Sequence, residues 1–494
     1  MSRLSTFRKI PPRYLLILSF LGYVILAFAF PLPPNYDMQP VGDIRTFAPA
    51  PVQGLLYGLL ILLLFALYWL LIKQILDSPT ASLIQVLTIG GLLALPLLFM
   101  YPINANDVYR YVIRGLISSR YGLSPFEYAP ADFGGVLYPL LVGEWYDATS
   151  PYGPLWESLS FIVTSIGREN FLANIILFKI IGLGALLAAG IVIWKVLSLV
   201  PRAGIESDSR RLAFTALWVL NPALLLTFVG NAHNDALMIL FLLLGWFIIE
   251  RGYQGPGLLL MLAAALVKPI ALLALPIAFL YSWKACADGR KQLICVLWLF
   301  VSGAVLVFLA FLPFGSPATL IVRLLREASA GASFSPVTLL ILAAREVGIN
   351  ISFSQLARLA AGVFTIFFLW ELWRTWRGQT AEQGIALVFW GYVLQALNFR
   401  IWYAVWPFPW LLLEGFSGNW RATRRLTAGL WFLVTSQLSV VLYGHLRIAL
   451  LGGSQFAAHL VGVPFVFLLP ILLAWISTHG LKPGSTNNVQ IEAD

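Results

Sequence analysis

The chain has 494 residues, 60% hydrophobic and 11% charged, with 32 basic against 22 acidic side chains and a formal charge of +10. A soluble domain carries roughly 25% charged residues, so one water-soluble core is excluded. A mean hydropathy of +0.84 requires many helices of about 20 apolar residues in a bilayer. The basic excess is not gathered in a polar domain, which excludes a nucleic-acid binder and leaves it to flank membrane helices and face anionic lipid phosphate. Cys286 and Cys295 sit beside or within one apolar stretch and predict no disulfide framework.

In chain order the apolar runs fall at about 14–31, 54–76, 83–101, 171–199, 211–229, 235–250, 257–281, 291–312, 356–374, 382–397, 401–416, 426–445 and 459–478. Arg3, Arg8, Lys9 and Arg13 place the N-terminus in the cytoplasm, where basic flanks are retained. Lys73, Lys195, Arg202, Arg210, Arg211, Arg374, Arg377, Arg421, Arg424 and Arg425 fall on the same side if each run crosses once. The run 257–281 is the exception: Arg251 precedes it, Lys284, Arg290 and Lys291 follow it, and Lys268-Pro269 stands at its centre. Proline after lysine breaks a helix, and such breaks are tolerated at membrane depth where they line a cavity. The run is therefore predicted as a re-entrant hairpin with Lys268 near its tip, alongside twelve crossings and two cytoplasmic termini. Residues Ala27-Phe28-Ala29 resemble a signal-peptide cleavage site, but the first run reads better as a retained anchor helix.

The fold expected is an all-α polytopic membrane protein with about 12–14 membrane helices, including the broken pair near Lys268. One membrane domain covers 1–480, with extracytoplasmic loops at 102–170 (catalytic) and 313–355, and 481–494 as a disordered cytoplasmic tail. The loop 102–170 opens with NANDVYRYVIRGLISSRYGLSPFEYAP. Its Val112, Ile113, Leu116 and Ile117 recur at helical spacing, as in an amphipathic helix on the membrane surface.

Asp107 heads that helix. It reads either as a capping residue or as a general base whose pKa apolar surroundings raise. Tyr109, Arg110 and Arg114 follow at once and suit a phosphate or pyrophosphate. Asn221-Pro222 and the string Gly230-Asn231-Ala232-His233-Asn234-Asp235 lie at the turn between two runs. They read as a capped tight turn or as a set of groups for sugar hydroxyls, with His233, Asn234 and Asp235 foremost. Lys268 lies in apolar sequence on both sides; it either snorkels or holds a lipid phosphate. Tyr152-Gly153-Pro154 reads as a helix-leading turn. Arg400 and Tyr403 stand in an aromatic string that a membrane-interface belt also explains. Arg323, Arg326 and Arg345 are lesser candidates for headgroup contact. The four histidines, His233, His445, His459 and His479, lack metal-ligand spacing, and no phosphate-binding glycine loop or nucleophile elbow is present. A transferase built this way takes its activated donor from the membrane.

The strings NDVYRYVIRG…YGLSPFEYAP, SPYGPLW, NPALLLTFVGNAHNDALMILFLLL, AALVKPIALLALPI and IWYAVWP span about residues 100–410. With them the chain resembles the membrane glycosyltransferases of the GT-C class, most of all the bacterial polyprenol-phosphate-mannose-dependent alpha-mannosyltransferases. HNDAL and LVKP are the more specific strings. The resemblance implies a GT-C-type helical bundle in a bacterial-type plasma membrane, a site on the extracytoplasmic face, and an acidic loop residue acting as base, which falls on Asp107. Many relatives show two adjacent acidic residues there; here the neighbour is Asn106, which argues against metal dependence, and no cofactor is expected. The implied partners are a polyprenyl-phosphate sugar donor, a lipid or glycan acceptor and membrane lipids, with no nucleic acid. The implied step is inverting: Lys268, Arg110, Arg114 and Arg400 hold the phosphate, while Tyr109, Tyr152, His233, Asn234, Asp235 and Tyr403 orient sugar or acceptor.

Two rivals arise from the same residues. A transporter or flippase of lipid-linked sugars would use Asp107, Asp235 and Lys268 as a relay, although transporters usually pair their broken helices in two repeats. A ligase or polymerase acting on a lipid-linked glycan is the other.

Overall fold

The computed structural model describes residues 11–77, 81–137, 139–200, 205–286, 288–327 and 333–479. Arg3, Arg8, Lys9, Arg202 and the tail 481–494 lie outside the described residues. Helices of eight or more residues are numbered α1 Pro12–Ala29, α2 Pro51–Leu76, α3 Leu83–Ala94, α4 Asp107–Tyr121, α5 Pro154–Gly167, α6 Phe171–Leu197, α7 Ile205–Val219, α8 Asp235–Glu250, α9 Gln254–Val267 and α10 Leu275–Ala285. They continue as α11 Gly289–Phe311, α12 Pro317–Glu327, α13 Pro336–Glu346, α14 Phe353–Trp376, α15 Ala381–Gln395, α16 Phe408–Gly415, α17 Trp420–Val441, α18 Gln455–Val463 and α19 Leu469–Thr478.

All thirteen apolar runs are helical, and the protein is an all-α polytopic membrane protein. Among the described residues eight helical stretches are long and apolar enough to cross a bilayer. The remaining runs make shorter helices, several broken where the sequence removes a backbone donor. Pro96 ends α3 in a 3₁₀ turn, Leu95–Phe99. One of the eight long stretches, Asp208–Gly230, is also interrupted, by Asn221-Pro222 after α7: the Asn221 side chain accepts from the Ala223 amide at 3.0 Å, and a π-helical turn, Leu225–Gly230, completes it. The run 401–416 is a 3₁₀ turn, Ile401–Val405, followed by the eight-residue α16, too short to span alone.

The run 257–281 divides as its Lys-Pro pair predicts. Lys268 is extended at φ −146° and ψ 118° between α9 and a 3₁₀ turn, Pro269–Leu273, because the proline ring disfavours a helical residue before it. Leu258 near the start of α9 lies beside Phe279, Ser282 and Trp283 near the end of α10. The two halves therefore fold back on each other, and Lys268 sits at the bend.

The amphipathic helix foreseen after Asp107 is α4, and it packs on α5 rather than lying free on a surface. Its apolar residues Val112, Ile113, Leu116 and Ile117 are buried, so the periodicity reports a protein interior. Gly122, at φ 66°, ends it in the left-handed conformation that glycine favours. The Tyr152-Gly153-Pro154 turn docks against the end of α9: the Gly153 amide donates to the Val267 carbonyl at 3.0 Å. A Cβ on Gly153 would stand 2.0 Å from the Leu266 carbonyl oxygen, so only glycine lets these backbones meet. Gly153→Ala should therefore cost about 2 kcal/mol or more of stability, seen as a lower thermal midpoint in detergent. An unchanged midpoint would contradict the close approach.

Candidate active site

Three separate segments meet at Asp107. The first is the start of α4, where Asn106 is the N-cap and makes no side-chain capping bond. Asp107 is thus the first helical residue, with its carboxylate free for tertiary contacts. One oxygen accepts from Arg110 at 2.7 Å and from the Tyr152 hydroxyl at 2.8 Å. The other faces His233 Nε2 at 3.0 Å. Arg110 is one helical turn beyond Asp107, the spacing that puts two side chains on one face. Tyr152 comes from the docked turn, so the Gly153 contact with α9 aims its hydroxyl.

The second segment carries His233. The π turn ends at Gly230, and Ala232 follows at φ 55°, a left-handed conformation costing a residue with a Cβ about 1–3 kcal/mol. That reversal aims His233 back across α4. Its other nitrogen, Nδ1, faces Asp235 at 2.5 Å, and Lys268 Nζ donates to the same Asp235 oxygen at 2.7 Å. The Trp406 indole donates to the remaining Asp235 oxygen. The Trp402 ring lies 4.2 Å from the His233 ring, tilted by 33°. The result is a continuous chain, Arg110–Asp107–His233–Asp235–Lys268, closed by aromatic rings.

This chain is desolvated. Asp107 is 2% exposed and Asp235 0%, while the side chains of Arg110 and Lys268 are each 13% exposed. The carboxylate foreseen at the water–lipid boundary is therefore covered, with the two cations reaching outward. Burial pushes the Asp107 carboxyl up, but Arg110, the hydrogen bonds from His233 and Tyr152, and the His233 charge outweigh it and hold the group well below the usual carboxylate range. The raised pKa expected from apolar surroundings is thus reversed, because burial arrives together with donors. Burial and the adjacent Asp107 push the Tyr152 phenol upward, which keeps it an O–H donor.

Arg110 and Lys268 thus set a cation beside each of the two carboxylates, with the His233 imidazole between them. Asp107, His233 and Asp235 are the metal-ligand types nearest one another, yet His233 turns both nitrogens to carboxylates. Among the described residues no three His, Cys, Asp or Glu groups converge on a common point.

The other residues singled out from sequence fall around this core. Asn234 is 1% exposed, and neither end of its amide finds a hydrogen-bond partner among the described residues. Tyr403 stacks on Trp406 at 4.1 Å and so supports the indole on Asp235 rather than joining the chain directly. Arg400 is the residue before the turn that carries Trp402 and Trp406. Arg114, foreseen as a phosphate ligand, is 1% exposed and donates to the carbonyls of Ala148 and Thr149 at 3.2 and 3.1 Å. Its guanidinium lies over the Tyr152 ring at 5.7 Å, so it props Tyr152 from behind. Glu157 lies near it and bonds Ser150; burial pushes its carboxyl up to about 7 against the pull of Arg114 and that hydrogen bond. Tyr109 packs on Tyr101, ring centroids 6.0 Å apart, and belongs to the core beneath the loop.

Sequence reasoning missed Trp402 and Trp406, whose four-residue spacing in IWYAVWP was the available signal. It also missed Trp145, whose indole lies 4.9 Å from the Arg110 guanidinium and 5.6 Å from that of Arg323. Arg323, from α12, is thereby brought to the rim of the site. The fully buried Lys179 was missed as well.

A depressed pKa makes ionised Asp107 a stabilising group. Its contribution is complete above the unfolded carboxylate value of about 4 and is lost as pH falls through the lower folded value. Asp107→Asn should lower stability by about 3–5 kcal/mol at neutral pH, because Arg110 and His233 lose a buried partner. Thermal melts of both proteins should differ fully at pH 7 and converge only below about pH 4; a pH-independent difference would contradict the assignment.

Comparison with known proteins bears on this site. The family model described as "Alpha-(1->6)-mannopyranosyltransferase, N-terminal domain" matches residues 34–285, a stretch that holds Asp107, Tyr152, His233, Asp235 and Lys268. Alpha-(1->6)-mannopyranosyltransferase A of Mycobacterium tuberculosis is 31% identical over 183 residues, 37% of this chain and 34% of that protein. Its namesake from Corynebacterium glutamicum is 26% identical over 186 residues, 37% of this chain and 36% of the relative. Alpha-(1->6)-mannopyranosyltransferase B of Corynebacterium glutamicum is 28% identical over 171 residues, 34% of this chain and 26% of the relative. The chain thus spans 26–36% of the length of these curated relatives. No solved structure matches it.

Proposed function

The chain belongs to the alpha-(1->6)-mannopyranosyltransferase family, and on that premise we propose that it is a glycosyltransferase. It moves a mannose-type sugar from a polyprenyl-phosphate donor to a hydroxyl of a lipid or glycan acceptor on the extracytoplasmic face. The observation that carries this reading is the chain Arg110–Asp107–His233–Asp235–Lys268. Its two cations, Arg110 and Lys268, are the members that reach outward, where the single negative charge of a sugar phosphodiester can meet them, and desolvation strengthens that attraction.

In this mechanism the phosphodiester meets Lys268 and Arg110, the two cations of the chain that reach outward. An acceptor hydroxyl approaches Asp107 by replacing Arg110 or Tyr152 on the carboxylate oxygen they share. Asp107 takes the hydroxyl proton as the oxygen attacks the anomeric carbon. The carbon–oxygen bond to phosphate breaks on the opposite face, and configuration inverts. The leaving phosphate gains negative charge, which the fixed cations stabilise, commonly a large electrostatic contribution. Losing Arg110 or Tyr152 as a partner raises the basicity of Asp107 at that moment. His233, pinned by Asp235 and Trp402, keeps Asp107 oriented, and the buried Asn234 amide is suited to a sugar hydroxyl.

The donor's apolar chain has a matching surface. A groove of about 740 Å³ runs between α9 and α11, lined by Leu262, Leu299, Gly303, Val307, Phe308 and Phe311. Leu262 shares α9 with the break at Lys268, so an isoprenoid lying in the groove leads its phosphate toward that cation.

The test is purified protein incubated with a panel of polyprenyl-phosphate sugars and membrane lipid extract, with products read by mass spectrometry. A new glycoside should form, and Asp107→Asn should lower its rate per folded molecule by at least about 100-fold, the scale of general-base catalysis. Wild-type rates in that variant would remove Asp107 as the base. Counterflow of labelled lipid-linked sugar with no new glycosidic bond would replace the transferase with a transporter.

A further inference from the structure

Lys179 lies in the N-terminal third of α6 and is 0% exposed. Among the described residues its ammonium meets no carboxylate. It donates to the carbonyls of Leu97 at 3.0 Å, Met100 at 2.8 Å and Val229 at 3.1 Å, and also to that of Gly230. Leu97 and Met100 belong to the 3₁₀ turn after α3 and its exit; Val229 and Gly230 close the π turn. Both are helical C-termini, where carbonyls lack intrahelical partners and partial negative charge collects. The three N–H groups of Lys179 are shared among these four acceptors, of which the Leu97 carbonyl also accepts from the Met100 amide at 3.3 Å.

The segments leaving those two termini give the arrangement its significance. The chain runs from Met100 to Asp107 in seven residues and from Gly230 to His233 in three. The same ammonium therefore ties the roots of the two segments whose side chains meet in the Asp107–His233 contact. A second tie lies between it and the site: the Asn104 amide donates to the Asn231 side-chain oxygen at 3.3 Å. One turn along α6, Gly182 admits the π turn so closely that a Cβ would stand 2.0 Å from the Phe228 carbonyl oxygen. The π turn is thus pressed onto α6 where Lys179 reaches it. An ionisable side chain at membrane depth costs several kcal/mol by roughly any scale, and a methionine would fill the same space without that cost.

We propose that Lys179 is a positioning residue for transfer: it sets the spacing of Asp107 and His233 by clamping the segments that carry them. The inference rests on the transferase reading, and its test has one arm independent of activity. In protein with Cys286 and Cys295 replaced by serine, cysteines at positions 104 and 231 should form a disulfide readily under mild oxidation. Adding Lys179→Met should slow that crosslink at least tenfold. In the activity arm, Lys179→Met should lower kcat per folded molecule about 30-fold or more while the donor KM stays within about threefold. Its effect should largely vanish on top of His233→Gln, because residues that act through one contact are non-additive. Lys179→Gln, which keeps two N–H donors, should fall between and serves the same measurements if the methionine variant does not accumulate folded. An unchanged crosslinking rate, a wild-type kcat, or effects of Lys179 and His233 that simply multiply would overturn the proposal. Wild-type protein inactive on every donor defeats the transferase reading alone, since crosslinking still reports whether Lys179 sets the spacing.

Discussion

The structure turns on one imidazole held between two carboxylates. His233 bridges Asp107 and Asp235 at 3.0 and 2.5 Å, and each carboxylate also holds a cation at 2.7 Å, Arg110 on the other Asp107 oxygen and Lys268 on the same Asp235 oxygen. Two buried carboxylates would otherwise repel one another and draw protons. The bridging imidazole, with Arg110 and Lys268 each bonded to one of the carboxylates, makes their proximity favourable. Everything around it serves that alignment: a left-handed Ala232, a glycine where the Tyr152 turn meets α9, and a lysine extended by the proline after it.

These devices share a logic particular to membrane proteins. Backbone groups freed by a broken helix must find partners within the protein, and here the breaks are placed where side chains need to converge. The Lys-Pro break brings Lys268 to a bend. The Asn-Pro break and π turn deliver His233, and the proline-terminated α3 frees the chain that leads to Asp107. π-helical turns cluster at functional sites because one extra residue re-aims the side chains beyond it. The carbonyls exposed at two of these breaks are gathered by Lys179, so a cost of irregularity becomes a means of registering the two halves of the site.

Much of this was legible in the sequence. Apolar runs, basic flanks and the Lys268-Pro269 pair were enough to foresee an all-helical membrane protein with a broken hairpin. Asp107, His233, Asp235 and Lys268 stood out as polar groups in apolar surroundings, although Asp107 read equally as a helix cap, the His233 string as a capped turn and Tyr152 as a helix-leading turn. What composition cannot tell is which way a side chain faces. Arg110 and Arg114 are equivalent in the string VYRYVIRG, yet one helical turn sends the first to Asp107 and the second into backbone carbonyls behind Tyr152. Trp402 and Trp406 looked like members of an interfacial belt because their partners lie some 170 residues away. Lys179 was hidden within a single long apolar run, and its acceptors are main-chain atoms, which no residue pattern encodes. The sign of the Asp107 shift was misjudged for a related reason: burial was visible, but the three donors that overrule it come from three segments.

In the proposed mechanism the outward-reaching cations of this chain grip a sugar phosphodiester beside Asp107. A structure of the protein with a polyprenyl-phosphonate sugar, which keeps the charge but cannot transfer, tests it most directly. The phosphonate should lie within hydrogen-bonding distance of Lys268 or Arg110, with the anomeric carbon facing the Asp107 carboxylate and the isoprenoid along the groove between α9 and α11. A phosphonate bound elsewhere, with Lys268 still on Asp235 and no sugar near Asp107, would contradict it.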